Sequence, residues 1–333
     1  MLNIAITVPS LSVPHGGIRV IVEWANRLVR NNAVTLFCRK GSAVPSWIDI
    51  QPAVRLVDNI RDLKNCDTLI TCSPHDIDLR WSVHAPQRKF LFLQMLEHLF
   101  RPTDMPWLEL CNKCYGSDLP TFFISQWNIQ YVKNMFPARR GAIHYVGNGV
   151  NFDDFPLEPD CKKDGKTVLV EGWESINPTK DPDAIGPTAA QLLREDGCRV
   201  LAYGQLPLNR FPDTPNEYYM RPSLSRLNDL YRRASVLIKA SRYDARACAP
   251  MEAMTKGCVT VRALHKGDDD LVNDVNSVRI PYGNEINLYL AVKELLQEQE
   301  TLDRLRENCL QYVREFSWDY WMPQIEKVLT DAQ

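Results

Sequence analysis

The chain reads as an α/β protein built from two consecutive domains, each a mostly parallel sheet with helices on both faces. Three observations predict this. Short apolar runs alternate with helical stripes along most of the chain. The alternation breaks once, near residue 147, and then restarts. A chain of 333 residues exceeds one ordinary core and fits two domains of moderate size.

In the first half, 3–8 ("NIAITV") is a buried strand. Residues 17–31 place Ile18, Ile21, Val22, Ala25, Leu28 and Val29 on one helical stripe. Further strands are expected at 33–38, 54–57, 67–72, 89–94, 121–125 and 142–146. The segment 147–166 ("GNGVNFDDFPLEPDCKKDGK") is rich in Gly, Asn, Asp and Pro and reads as a linker. After it, strands are expected at 167–172, 198–204, 217–220, 235–241, 258–263 and 277–281. Helices are expected at about 182–195, 223–233, 250–256, 285–299, 301–315 and 317–332. The expected domains are 1–150 and 151–315, followed by a closing helix in 316–333. Two such domains predict an interdomain cleft as the ligand site. Open α/β sheets bind ligands beyond the carboxyl ends of their strands, which selects the residues directly after each strand.

Composition narrows the function. Hydrophobic residues at 45% and charged residues at 24% are ordinary for a globular protein, and a net charge of −2 lacks the basic excess of a general nucleic-acid binder. The ten scattered cysteines form no compact framework and read as reduced thiols, which implies a cytoplasmic protein. Cys111 and Cys114 form the one C-x-x-C; without a second pair they read as two thiols on one helix, not a zinc site. The amino terminus is a strand without a cleavage-site pattern, and no apolar run is long enough for a bilayer, so the mature protein is expected to be the whole chain.

Two segments carry chemistry. Gly16 and Gly17 follow the first strand and open the first helix, where free N–H groups and positive potential suit a phosphate. The spacing is not G-x-G-x-x-G, which disfavours a nicotinamide dinucleotide. The stronger signal is 241–257, "SRYDARACAPMEAMTKG". A strand ends near Ser241, a loop of small residues carries Asp244, Pro250 stands in the first helical turn, Glu252 lies in the helix and Gly257 ends it.

This segment resembles the Glu-x7-Glu signature of the retaining GT-B glycosyltransferases of the glycogen-synthase-like group (glycosyl transferases group 1). Other stretches resemble that family in order: "HGGIRVIVEWANRL", "FFISQWNIQYVKNMF", "VGNGVNFDDF", "GWESINPTKD", "DDDLVNDVNSVRIPYG" and "FSWDYWMPQIEKVL". The resemblance spans nearly the whole chain. It implies two Rossmann-like domains and metal-independent transfer of a hexosyl or pentosyl group from a nucleoside diphosphate sugar to an acceptor hydroxyl, with retention. It implies that Glu252 accepts hydrogen bonds from the ribose diol, which a two-oxygen carboxylate suits. Asp244 would contact the transferred sugar, and the backbone at Ala247, Cys248 and Ala249 would approach sugar and diphosphate. Lys180 would neutralise charge on the departing diphosphate. Four departures stand out: Asp244 replaces a Glu, Ala245 and Ala247 stand where glycine is common, Trp173 replaces a diphosphate-binding arginine, and the loop to Lys180 is two residues longer. Arg242 or Arg246 would substitute for that arginine.

In the first domain, Gln94, Glu97 and His98 follow a strand and are the acceptor-site candidates. Asp268, Asp269 and Asp270 are expected as a solvated loop, with a Mg²⁺ site as the alternative. His75, His84 and His144 are isolated and read as ordinary surface or core residues. Residues 80–89 mix basic and aromatic residues and read as a solvated face, with weak membrane contact as the alternative. The expected partners are a nucleotide sugar and an acceptor that is a glycan, a lipid-linked sugar, a small molecule or a modified nucleobase. No cofactor is expected. A nucleotide-sugar epimerase on the same fold and a catalytically silent nucleotide-sugar-binding subunit are the alternative readings.

Overall fold

The computed structural model describes residues 1–12, 14–39, 41, 46–63, 65–77, 88–177, 179–268 and 271–331. Asp269, Asp270, His84 and most of 80–89 lie outside the described residues. The chain divides into two compact units, Met1–Asn148 with Asp319–Gln333, and Gly149–Trp318.

The first unit is a seven-stranded sheet: β1 (Asn3–Val8), β2 (Ala33–Cys38), β3 (Arg55–Val57), β4 (Thr68–Thr71), β5 (Arg88–Leu93), β6 (Thr121–Phe123) and β7 (Ile143–Tyr145). All pairs are parallel and the order is β3-β2-β1-β4-β5-β6-β7. Its helices are α1 (Gly16–Leu28), α2 (Met105–Tyr115) and α3 (Gln126–Met135). Nearly unbroken burial along β1 and β2 is what a sheet covered on both faces requires. From α1, Trp24 stacks on Phe92 of β5 with ring centroids 4.2 Å apart. Cys111 and Cys114 are buried thiols on α2.

The second unit is a six-stranded parallel sheet of β8 (Thr167–Glu171), β9 (Arg199–Gly204), β10 (Glu217–Met220), β11 (Val236–Tyr243), β12 (Val259–Lys266) and β13 (Ser277–Pro281). Its order is β10-β9-β8-β11-β12-β13, so the order reverses between β8 and β11. The sheet is flanked by α4 (Ile185–Glu195), α5 (Leu224–Arg233), α6 (Cys248–Met254), α7 (Glu285–Gln297) and α8 (Gln299–Glu315). The last helix, α9 (Trp318–Asp331), belongs to the first unit from Asp319 onward. There Trp321 meets Tyr145 edge-on at 5.7 Å, and Arg88 donates to the Leu329 carbonyl at 2.7 Å.

Every expected strand is present, four with the expected ends and the others with ends shifted by at most three residues. Two shifts matter. Strand β11 continues through Tyr243, so Asp244 leaves the strand end directly. Helix α6 begins at Cys248, two residues before Pro250. The expected linker is not loose: within 149–166, Phe155 is buried, and Glu158 pairs with Arg232 at 2.5 Å and Lys256 at 2.9 Å. Gly149 sits where a Cβ would lie 2.4 Å from the Trp318 backbone N, beside the Val150–Ser317 bridge. None of the ten cysteines is in a disulfide. Among the described residues, no helix is long and apolar enough to cross a membrane.

Candidate functional site

In a sheet of this order the reversal point opens a crevice at the carboxyl ends of the strands. In the second unit that point lies between β8 and β11, which carry Glu171 and Lys239. These two residues are register partners across the parallel pair. Lys239 Nζ lies 2.5 Å from Glu171 Oε2 and 3.0 Å from Asp244 Oδ2. The other Glu171 oxygen, Oε1, accepts from Lys180 Nζ at 2.5 Å. A chain of alternating charge therefore runs Lys180–Glu171–Lys239–Asp244. Its middle is buried and its ends are open: side-chain exposure is 2% at Lys239 and 8% at Glu171, against 17% at Asp244 and 28% at Lys180.

Burial alone would raise the Glu171 pKa, but the Lys180 and Lys239 ammonium groups outweigh it and hold the carboxyl at about 2. Burial alone would lower the Lys239 pKa; the Asp244 and Glu171 carboxylates reverse this and hold it above its ordinary value. Glu171 and Lys239 are thus both charged at neutral pH.

Glu252, on α6, is buried, and its Oε2 accepts from the Tyr231 hydroxyl at 3.1 Å. Tyr231 lies 3.2 Å from the Tyr203 hydroxyl. A merely solvated helix residue would not have these partners. Asp268 is not the solvated loop residue expected from sequence. It is buried, forms an ion pair with Arg262 and accepts the Ala247 N–H at 3.4 Å. The reason is conformational: Gly267 and Asp268 both adopt positive φ, 100° and 60°, which folds the chain end back under the α6 amino terminus. Among the described residues, no group of three or more His, Cys, Asp or Glu could hold a metal ion.

Helix amino termini here carry internal acceptors. Asp181 accepts the N–H groups of Ile185 and Gly186, both at 2.8 Å, at the start of α4. Burial pushes the Asp181 carboxyl up to about 6 against the pull of those two bonds. At α1, His15 Nδ1 accepts the Gly17 N–H at 3.1 Å.

In the first unit, Gln94 donates from Nε2 to the Gly17 carbonyl at 3.0 Å, which brings the glycine pair and an acceptor-site candidate together. Glu97 and His98 lie on a 3-10 turn, Glu97–Phe100. His98 Nδ1 is 3.2 Å from the Tyr115 hydroxyl, and its ring stacks on Tyr131 at 5.1 Å. Burial pushes the Glu97 carboxyl up to about 7 and lowers the His98 pKa. His75 packs at 4.8 Å on Trp107, whose indole donates to the Glu97 carbonyl at 2.9 Å, and His144 lies 5.6 Å from the Phe122 ring.

Comparison with solved structures places the fold. Sucrose-phosphate synthase from Thermosynechococcus elongatus matches with a TM-score of 0.82 at 13% identity, covering 99% of both chains. HepE from Anabaena, solved with UDP-glucose, matches at 0.75 and 12% identity over 99% of this chain and 100% of its own. An alpha-glucosyltransferase, solved with UDP and a 13-mer DNA containing a HMU base, matches at 0.67 and 14% identity over 99% of each chain. The fold is GT-B. No protein-family model and no curated protein sequence matches the chain.

Within this GT-B fold, three sequence expectations change. Trp173 is fully buried, its indole donating to the Arg210 carbonyl at 2.8 Å, so it is a core side chain and not a stand-in at a diphosphate. Arg242 is directed to an exposed pair with Asp183 at 2.8 Å. Arg246 is buried, with its guanidinium 5.7 Å from the Phe316 ring. Ala245 and Ala247 replace glycine without cost, because neither adopts a positive φ. Sequence reasoning missed Glu171, Lys239, Tyr231 and Asp181. The signal for two of them was present: a lysine inside the apolar run "SVLIKAS" and a glutamate ending "TVLVEG".

Proposed function

We propose that the protein is a retaining glycosyltransferase that moves a sugar from a nucleoside diphosphate sugar to an acceptor hydroxyl. The observation that carries this reading is the charge chain at the β8–β11 reversal point. It presents an ammonium, Lys180, and a carboxylate, Asp244, from one buried scaffold. Glu252 follows Asp244 on the next helix. The likeness to HepE with UDP-glucose and to the alpha-glucosyltransferase with UDP supports a uridine diphosphate sugar as the first donor to try.

In this reading Glu252 takes the ribose hydroxyls, with Tyr231 orienting its carboxylate. Lys180 meets the diphosphate and offsets the charge that develops as it departs. Asp244 meets the hydroxyls of the transferred sugar. The bond from the sugar's anomeric carbon to the phosphate oxygen breaks, and the bond to the acceptor oxygen forms on the same face. The acceptor proton passes to the leaving phosphate oxygen, so the step needs no side-chain base and no metal. The first unit takes the acceptor near Gln94, Glu97 and His98. With its carboxyl at about 7, Glu97 has both donor and acceptor forms near neutrality.

The test is a panel of nucleoside diphosphate sugars, each assayed for nucleoside diphosphate release. Acceptors are a hydroxymethylated-pyrimidine DNA, sugar phosphates, a glycan and a lipid-linked sugar. Transfer with the anomeric configuration retained by NMR is expected. Isomerised sugar alone, binding without turnover, or no binding contradicts the reading.

A further inference from the structure

The buried half of the charge chain does something neither end needs for its own fold. Lys239 lies in the middle of β11 between Ile238 and Ala240, both buried and apolar. A strand buried at this depth is served by an apolar side chain, and replacing a buried ion pair by apolar residues of like volume is often neutral or stabilising. The pair instead joins two strands at their register point and reaches outward at both ends: Glu171 holds Lys180 at 2.5 Å, and Lys239 holds Asp244 at 3.0 Å. Because Lys239 and Glu171 are almost without solvent access, their positions are set by the sheet. The two exposed ends inherit that precision.

Resting on the proposed transfer reaction, we propose that Lys239, with Glu171, is a positioning residue for the sugar-transfer step. The pair fixes the Asp244 carboxylate and the Lys180 ammonium at one separation, so that the carboxylate meets the sugar while the ammonium meets the departing diphosphate. Lys239 touches no substrate atom in this account and acts only through Asp244 and Glu171. Its loss should therefore act on turnover and not on holding the nucleotide.

The experiment is a double-mutant cycle on the full chain with UDP-glucose as the probe, or the nucleotide sugar that the panel selects. The variants are Lys239→Met, Asp244→Asn and the pair. Lys239→Met is expected to lower kcat roughly ten- to a hundredfold, the range of one charged hydrogen bond. Affinity for bare UDP should stay within about threefold. In the Asp244→Asn background the same change should cost clearly less than in the parent, because only its action through Glu171 remains. Lys239→Arg, which keeps the charge, should restore part of the lost turnover. If Lys239→Met does not fold, the volume-matched pair Lys239→Met with Glu171→Leu takes its place and should show the same loss of kcat. Parental kcat in either variant, independent effects in the cycle, or a UDP affinity that falls in step with kcat overturns the inference. A parent protein that neither binds UDP nor turns over any nucleotide sugar sinks the transfer reading and this inference together. Parental turnover unaffected by Lys239→Met sinks this inference alone.

Discussion

Replacing Glu171 by Gln should destabilise the second unit by about 3 kcal/mol at pH 7 and remove part of that unit's acid sensitivity. The magnitude follows from the carboxyl's depressed pKa. Its ordinary value is 4.5 and it is held at about 2. About 2.5 units at 1.36 kcal/mol each give about 3 kcal/mol. Little screening applies, because the side chain is 8% exposed. The sign is fixed by the direction of the shift. A depressed carboxyl binds fewer protons folded than unfolded, so its stabilisation is complete above 4.5 and is lost as pH falls towards 2. The buried Lys239 would then keep Asp244 alone, which adds to the loss. The assay is hydrogen exchange of peptides from β8 and β11, corrected for intrinsic rates at each pH, which reports this unit separately from the other. The parent should lose protection steeply below pH 4.5 and the variant should lose less, with Glu158 and Glu217, also held at about 2, accounting for the remainder. Equal protection at pH 7, or parallel profiles down to pH 2.5, would refute the account of the charge chain.

Asp181 should give the opposite slope: its carboxyl rises from 3.8 to about 6, so the folded state holds the proton longer and stability falls as pH rises through that window. NMR titration of its side-chain carboxyl should show a midpoint near 6, and a midpoint below 4 would contradict the burial argument. Gly149→Ala should cost about 1–3 kcal/mol or more, because its Cβ would meet the Trp318 backbone N at 2.4 Å and backbone cannot step aside; an unchanged thermal midpoint would show that the segment is looser than described. Transfer should survive EDTA if, as proposed, Lys180 offsets the charge on the departing diphosphate. Activity abolished by EDTA and restored by Mg²⁺ or Mn²⁺ would overturn this.

Most of the sheet architecture was legible because apolar runs mark strands and glycine-rich turns punctuate them. The Asp244–Glu252 segment was legible because strand, small loop, helix and strand follow one another locally. What escaped was non-local. Lys239 and Glu171 stand 68 residues apart in sequence and meet only because β8 lies beside β11, with β9 and β10 on the far side. No local pattern states that order. Asp268 read as solvated because its neighbours are charged, yet a positive-φ reversal turns it inward onto Arg262. Trp173 read as a substitute in a phosphate loop, yet the Gly172 turn, with φ of 78°, directs the next side chain into the core. That Arg246 is buried beside Phe316, 70 residues on, is likewise stated by no local pattern.

The central claim is that the second unit holds a nucleoside diphosphate through Glu252. Calorimetric titration of UDP, then of other nucleoside diphosphates, into the parent protein and Glu252→Ala tests it most directly. The account predicts saturable binding of one diphosphate by the parent. It also predicts a loss of about 1.5–3 kcal/mol, roughly ten- to a hundredfold, in a variant whose circular dichroism is unchanged. Binding of equal strength to both proteins, or no binding of any nucleoside diphosphate to the parent, would contradict it.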